Sequence, residues 1–160
     1  MGKSGDGHNV RTFISGAVPS GRSSELLTNG YAMVAAELRS QLEKREEAFV
    51  LALAHPSTKE RRVVAAPVLD EEPLTPVVVG RHEFAGLSLS ADAALSLRHV
   101  IVLLGRGPEG GPLARILDLR SGTGMTDASG LPHFSVAADG PLALRVGDCA
   151  LFLLPWDLPP

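Results

Sequence analysis

The sequence predicts a mainly β protein, an antiparallel β-sandwich preceded by an N-terminal amphipathic helix. Short apolar segments recur every ten or so residues from position 48 onward, separated by Gly/Pro turns, which is the pattern of a sandwich. No strand-helix alternation runs along the chain, so nothing supports a parallel sheet with crossover helices. A single stretch of helical period lies before the first strand, and it supplies the helix.

Residues 1–23 are rich in Gly and Ser and lack periodicity apart from Val10-Arg11-Thr12-Phe13-Ile14, and they read as a flexible arm. Apolar residues then recur at Leu27, Tyr31, Val34, Leu38 and Leu42, in steps of four, three, four and four, the stripe of an amphipathic helix. The helix is placed at 24–47, starting near the N-cap candidates Ser24 or Asn29 and ending before Phe49, with Gly30 weakening its first turn. A lone helix of this length is marginal in water. The stripe must therefore pack on the sandwich of its own chain or on a partner, including a second copy in a homodimer.

The sandwich is placed at 48–155. Ala48 to Ala54, bounded by His55-Pro56, is a short apolar run consistent with a buried strand. Arg61 to Val64 and Leu74 to Val79 follow, with Pro73 and Pro76 putting the start of the latter at a sheet edge. Leu87 to Ser90 alternates as a half-exposed strand does. His99 to Leu104 and Ala114 to Leu119 flank the glycine-rich turn at 105–111, and Phe134 to Val136, Leu142 to Leu144 and Ala150 to Leu154 complete the set. Residues 156–160 read as a Pro-rich tail with Trp156 on the domain surface.

Composition narrows the function. The single cysteine, Cys149, excludes an internal disulfide and reads as a small buried hydrophobe. A reducing, cytoplasmic setting is expected. No apolar run approaches the roughly twenty residues that cross a bilayer, and the first residues lack the apolar core of a signal peptide. Asp6 stands where a myristoylation signal needs Ser or Thr, so no membrane partner is expected. The net charge is −3; residues 1–47 are balanced at six Lys/Arg against six Asp/Glu, and residues 48–160 carry the deficit at nine against twelve. A nucleic-acid partner would require a clustered basic surface. His8, His55, His82, His99 and His133 have no metal-ligand spacing, and the 105–111 turn lacks the Gly-Lys-Ser/Thr of a phosphate loop. Neither a metal nor a cofactor is expected.

The chemistry concentrates in Gly80-Arg81, Ser96-Leu97-Arg98-His99, Asp118-Leu119-Arg120-Ser121-Gly122-Thr123-Gly124 and Leu144-x-x-Gly147-Asp148-x-x-Leu151. In order and spacing these resemble the loops of a forkhead-associated (FHA) domain, a β-sandwich that binds phosphothreonine peptides. The familiar pattern is Gly-Arg at a strand end, Ser-x-x-His about fifteen residues on, then Asp-x-x-Ser-x-Asn-Gly-Thr. Here Thr123 stands where the family usually has Asn, Met125 where it usually has Thr, and Leu97 where Arg often follows the serine.

The resemblance implies a phosphopeptide-binding set of Arg81, Ser96, Arg98, Ser121, Gly122 and Thr123, supported structurally by Gly80, His99 and Gly124. Arg suits the task because its planar guanidinium offers a fork of donors to phosphate oxygens. Arg98 is one residue beyond the usual arginine, so its side chain faces the other way on an extended chain. Thr123 offers one short hydroxyl in place of an amide with donor and acceptor. Ser96 and His99, three residues apart on a strand, face opposite sides, which argues against a catalytic Ser-His pair and for no enzymatic activity. The expected partner is a phosphothreonine-containing protein or peptide in Ser/Thr-kinase signalling, the kinase itself among the candidates. Thr12, following Arg11, is a candidate phosphorylation site for self-recognition. The alternative is an FHA-like scaffold that has lost phosphate recognition and assembles through the 24–47 helix or a sheet face.

Overall fold

The computed structural model describes residues 21–44, 47–68, 74–82, 85–89 and 94–157. Thr12 and nearly all of the arm expected at 1–23 lie outside the described residues.

Among the described residues, one helix, α1 (Gly21–Glu43), precedes eleven strands: β1 (Ala48–His55), β2 (Glu60–Pro67), β3 (Leu74–Gly80), β4 (Leu87–Ser88), β5 (Val100–Arg106), β6 (Pro112–Asp118), β7 (Met125–Thr126), β8 (Pro132–His133), β9 (Ser135–Ala138), β10 (Leu142–Val146) and β11 (Cys149–Leu154). They form two sheets, ordered β2-β1-β11-β10-β7-β8 and β4-β3-β5-β6-β9. Pairing is antiparallel except between β3 and β4, which run parallel through Val79 opposite Leu87 and Gly80 opposite Ser88. The sandwich fold with its N-terminal helix is thus the one the sequence predicts.

Strand patterning follows from what covers each face. β6 alternates buried and exposed positions over Pro112 to Ile116 because only its inner face meets the core. β1 and β11 are buried at every position. Their inner face, with Phe49, Leu51, Leu53, Leu151 and Leu153, joins the core between the sheets. Their outer face, with Val50, Ala52, Ala54, Ala150, Phe152 and Leu154, lies under α1. A strand covered on both faces reads as a continuous apolar run.

The helix stripe is satisfied within the chain. Leu27, Val34 and Leu38 are buried against that outer face, each contributing about 1.5–3 kcal/mol by apolar burial. Tyr31 remains 48% exposed but sets its ring edge-on to Phe152 at 5.7 Å. A helix-mediated homodimer would have to use a different face, since this stripe is occupied.

The boundaries of α1 differ from the expected 24–47. The helix is already formed at Gly21, so Ser24 and Asn29 are interior positions, and Ser23 is buried with its hydroxyl 3.2 Å from the Thr126 hydroxyl. At the other end, Glu47 O accepts from Val68 N at 3.2 Å, extending the β1–β2 ladder and drawing the chain away from the helix. Trp156 departs from its expected surface position. It is partly buried, its ring edge-on to Phe49 at 5.3 Å and covered by the Arg106 guanidinium at 5.1 Å. Cys149 is fully buried in the core.

Gly30 marks the closest approach of helix and sheet. A Cβ at this position would stand 2.6 Å from Ala150 Cβ. Two effects oppose each other in Gly30→Ala: helix propensity favours Ala by about 1 kcal/mol, while overpacking costs about 1–3 kcal/mol. The contact is with a strand side chain that cannot swing away, so overpacking wins. Urea unfolding is expected to show a net loss of up to about 2 kcal/mol for Gly30→Ala, whereas exposed Asn29→Ala is expected to be neutral or stabilising. An equal or raised midpoint for Gly30→Ala would show that α1 is free to lift from the sheet.

Candidate functional site

Gly80 closes β3 where the β4–β5 loop crosses its backbone. A Cβ there would lie 2.2 Å from Leu97 O and 2.9 Å from Ser96 O, so only glycine lets the two segments meet. Main-chain bonds then join them: Arg81 N donates to Ser96 O at 2.9 Å, His82 N to Leu97 O at 3.1 Å, and His99 N to Val79 O at 2.8 Å. Arg81 Nε donates to Leu95 O at 3.0 Å, which orients the half-buried guanidinium. Among the described residues, this carbonyl is the only hydrogen-bond partner of that group.

His99 is fully buried and ties two loops together. Its Nδ1 accepts from Ser96 N at 3.0 Å. An Nδ1 that accepts carries no proton, so the neutral ring holds its proton on Nε2, which donates to Gly124 O at 2.6 Å. Leu119 N donates to His99 O at 2.9 Å. The imidazole thus contacts the Ser96 amide and not its hydroxyl, and no Ser-His dyad of the kind that activates a nucleophile is formed.

The β6–β7 loop is held from inside. Ser121 Oγ donates to Asp118 Oδ1 at 2.5 Å and accepts from Gly124 N at 2.8 Å. The Ser121 hydroxyl therefore serves the turn and has no second hydrogen for a ligand. Gly124 adopts φ 70°, and Arg120, exposed beside it, adopts φ 57°. Gly122 N donates to Ser96 Oγ at 3.2 Å, and Thr123 Oγ1 donates to Ala94 O at 3.2 Å.

These bonds bring Arg81, Ser96, Gly122 and Thr123 to one loop end of the sandwich, with Gly80, His99 and Gly124 beneath them. Ser96 Oγ accepts from Gly122 and keeps its own hydrogen available to donate. The hydrogen of Thr123 is already committed to Ala94. Arg98 and Leu97 are exposed on the same loop, and among the described residues no hydrogen bond draws Arg98 toward Arg81 or Ser96. Among the described residues, the Arg81 terminal nitrogens and the Ser96 hydroxyl hydrogen have no hydrogen-bond partner, and both are donors, which suits an anion. Among the described residues no cluster of three or more His, Cys, Asp or Glu could hold a metal ion, and no helix is long and apolar enough to cross a membrane.

Beside this cluster opens a cavity of about 280 Å³, whose walls include Ser23, Ala94, Thr123, Gly124, Arg145 and Asp148. Arg145 is set by Nε donating to Gly147 O at 2.9 Å and Nη2 to Asp148 Oδ1 at 3.0 Å. Sequence reasoning found the Gly147-Asp148 turn but not the wall formed by Ser23, which comes from 103 residues away to meet Thr126. No local pattern encodes that contact. Nearby, the β7–β8 hairpin is built around buried Asp127, which accepts from Ser129 N, Ser129 Oγ, Leu131 N and His133 Nε2. Burial alone would raise its carboxyl pKa, and these bonds from Ser129, His133 and Leu131 outweigh it and hold the group below the ordinary carboxylate value.

No protein-family model matches the chain, and no curated protein matches it by sequence. Compared by structure, it is similar to the FHA domain of the CT664 protein from Chlamydia trachomatis, with a TM-score of 0.52, 16% identity, and coverage of 67% of this chain and 96% of that one. It is similar to the FHA1 domain of yeast Rad53, with a TM-score of 0.51, 19% identity, and coverage of 79% and 89%. It also matches the FHA domain of yeast Dun1, solved in complex with a doubly phosphorylated (pT) peptide derived from Rad53, with a TM-score of 0.51, 13% identity, and coverage of 72% and 79%. The two-sheet topology, the loops that meet at Gly80 and His99, and these likenesses agree: the chain has the forkhead-associated fold.

Proposed function

We propose that this chain is a non-enzymatic module that binds phosphothreonine-containing segments of proteins in Ser/Thr-kinase signalling. The observation that carries this reading is the convergence of Arg81 and Ser96 at one loop end, fixed by main-chain bonds and by His99, with the guanidinium terminal nitrogens and the serine hydroxyl unpartnered among the described residues. A rigid set of donors of this kind pays little ordering entropy when a phosphate arrives. Arg81 places positive charge at the loop end of a domain whose net charge is negative. Exposed Arg98 and Arg120 flank the site and add positive potential.

The reading is tested by titrating a phosphothreonine peptide library, with unphosphorylated controls, against wild type and Arg81→Ala. The substitution removes a charge-assisted bond and is expected to weaken binding by about 1.5–3 kcal/mol, roughly ten- to 150-fold. Equal binding by the two proteins would overturn the assignment.

One observation favours a second reading, a scaffold without phosphate recognition. The Thr123 hydroxyl, which stands where the family's Asn reads the ligand main chain, is spent on Ala94 O. On that reading neither protein would bind any member of the library.

A further inference from the structure

Val100-Ile101-Val102-Leu103-Leu104 in β5 is apolar at every position, as β1 and β11 nearly are, and a strand of that kind is one covered on both faces. In β5 only the inner face is covered among the described residues: Val100, Val102 and Leu104 belong to the core between the sheets. Ile101 and Leu103 point the other way and are only partly buried. Their neighbours in register continue the pattern. Val78, Ile101 and Leu117 form one row across β3, β5 and β6, and Pro76, Leu103 and Arg115 form the next. Beyond them Leu74 and Leu113 are 47% and 40% exposed. An antiparallel sheet with a solvated face carries polar residues on it, whereas this outer face is apolar, and a contiguous exposed apolar patch marks an interaction site. Among the described residues, Arg115 is the one charged side chain at the outward strand positions of this sheet, and it has no hydrogen-bond or ion-pair partner.

The other sheet shows what fits such a face. There α1 lays Leu27, Val34 and Leu38 on outward apolar residues of β1 and β11, and Arg61 Nε on β2 donates to Glu37 Oε1 of the helix at 2.6 Å. The β3-β5-β6 face offers the same two parts, an apolar surface and a strand arginine, without the carboxylate. Strands about 4.8 Å apart and rows about 6.8 Å apart put its three rows within roughly 10 by 14 Å between Cα positions, which one helix about 10–12 Å across covers. We propose that this face docks an amphipathic helix of another protein, whose apolar stripe lies on Ile101 and Leu103 and whose Asp or Glu pairs with Arg115. A second copy of this chain is a poorer occupant. Face to face it buries each Arg115 against apolar side chains, because no outward strand position carries a carboxylate and Asp139, just beyond β9, already has an interaction of its own. A charge buried without its partner is costly, whereas a carboxylate satisfies the guanidinium through two parallel hydrogen bonds.

The test is a selection on the full chain from a phage-displayed library of helical peptides about 18 residues long, with excess soluble Leu103→Glu protein as competitor so that only binders of this face are kept. Should Leu103→Glu fail to fold, Arg115→Glu, a change at an exposed position, serves as the competitor. Enriched peptides are expected to share apolar residues at helical spacing with an Asp or Glu beside them. For the tightest synthetic peptide, replacing that acid by its amide is expected to weaken binding at least tenfold, and Arg115→Glu in the protein is expected to do the same. Exchanging the peptide's acid for Lys is expected to restore binding to Arg115→Glu. No enrichment over the competitor, or enriched peptides that bind equally well as acid and as amide, would overturn the proposal. So would a concentration-dependent dimer of the free chain in sedimentation that Leu103→Glu or Arg115→Glu abolishes, because it puts a second copy on the face.

Discussion

Gly80→Ala is expected to destabilise the protein by about 4–6 kcal/mol and to abolish ligand binding. The added Cβ would sit 2.2 Å from Leu97 O, 2.7 Å from Leu97 C and 2.9 Å from Ser96 O, where atoms in favourable contact stand about 3.5–4 Å apart. All three neighbours are backbone, so no side chain can rotate to relieve the overlap. The β4–β5 loop must lift, and with it go the bonds from Arg81 N to Ser96 O, His82 N to Leu97 O and His99 N to Val79 O. Overpacking accounts for about 1–3 kcal/mol, and each lost bond adds about 1 kcal/mol. Gly122→Ala is the control, because a Cβ there meets nothing within 4 Å, and its unfolding midpoint is expected to match wild type. Urea unfolding of both variants checks the contrast. Amide hydrogen exchange at residues 81, 82 and 99 shows whether the loop has lifted. A Gly80→Ala protein as stable as Gly122→Ala would mean that the two loops do not lie on one another as described.

How much of this was legible in the sequence depends on the range of the interaction that makes each part. The buried strands β1 and β11 stand out because a strand covered on both faces must be apolar throughout, and the helix stripe stands out because its period is local. β7 and β8 are two residues each, too short to show any period, and they arise from pairing within a hairpin organised by Asp127. The start of α1 was misplaced because Ser24 and Asn29 look like caps, whereas packing of Ser23 against Thr126 extends the helix beyond them. Trp156 was misplaced for a similar reason: its partners Phe49 and Arg106 lie far from it in the chain. At the loops, the order of Gly80-Arg81, Ser96-x-x-His99 and the 118–124 turn pointed to segments that do lie together. The division of labour among their hydroxyls did not show in the sequence. Ser121 bonds inward to Asp118 and Gly124, Thr123 to Ala94, and among the described residues nothing accepts the Ser96 hydrogen. Residue types gave all three the same capacity.

His99→Phe is the second large effect, and it separates bracing from gripping. Phenylalanine keeps the ring and most of its volume but removes both nitrogens. Ser96 N then loses its acceptor and Gly124 O its donor, both beside a fully buried side chain. Each unsatisfied buried group costs about 1–3 kcal/mol, so a loss of about 2–6 kcal/mol in unfolding free energy is expected. The lost Gly124 bond leaves the β6–β7 loop tied to the β4–β5 loop through Gly122–Ser96 and Thr123–Ala94 and loosens the contact between them, and the Ser96 amide is expected to exchange with solvent much faster. Because the ring has no exposed edge, it cannot touch a ligand in the folded protein. Any loss of affinity in His99→Phe must therefore come through misplacement of Ser96 and Gly122. Arg81→Ala provides the comparison: it should weaken ligand binding while leaving most of the stability intact. His99→Phe should lose stability first, and its binding should recover at temperatures well below its unfolding midpoint, where the folded loops dominate. A His99→Phe protein that unfolds like wild type yet binds no ligand would make the histidine a direct ligand contact and overturn the bracing role.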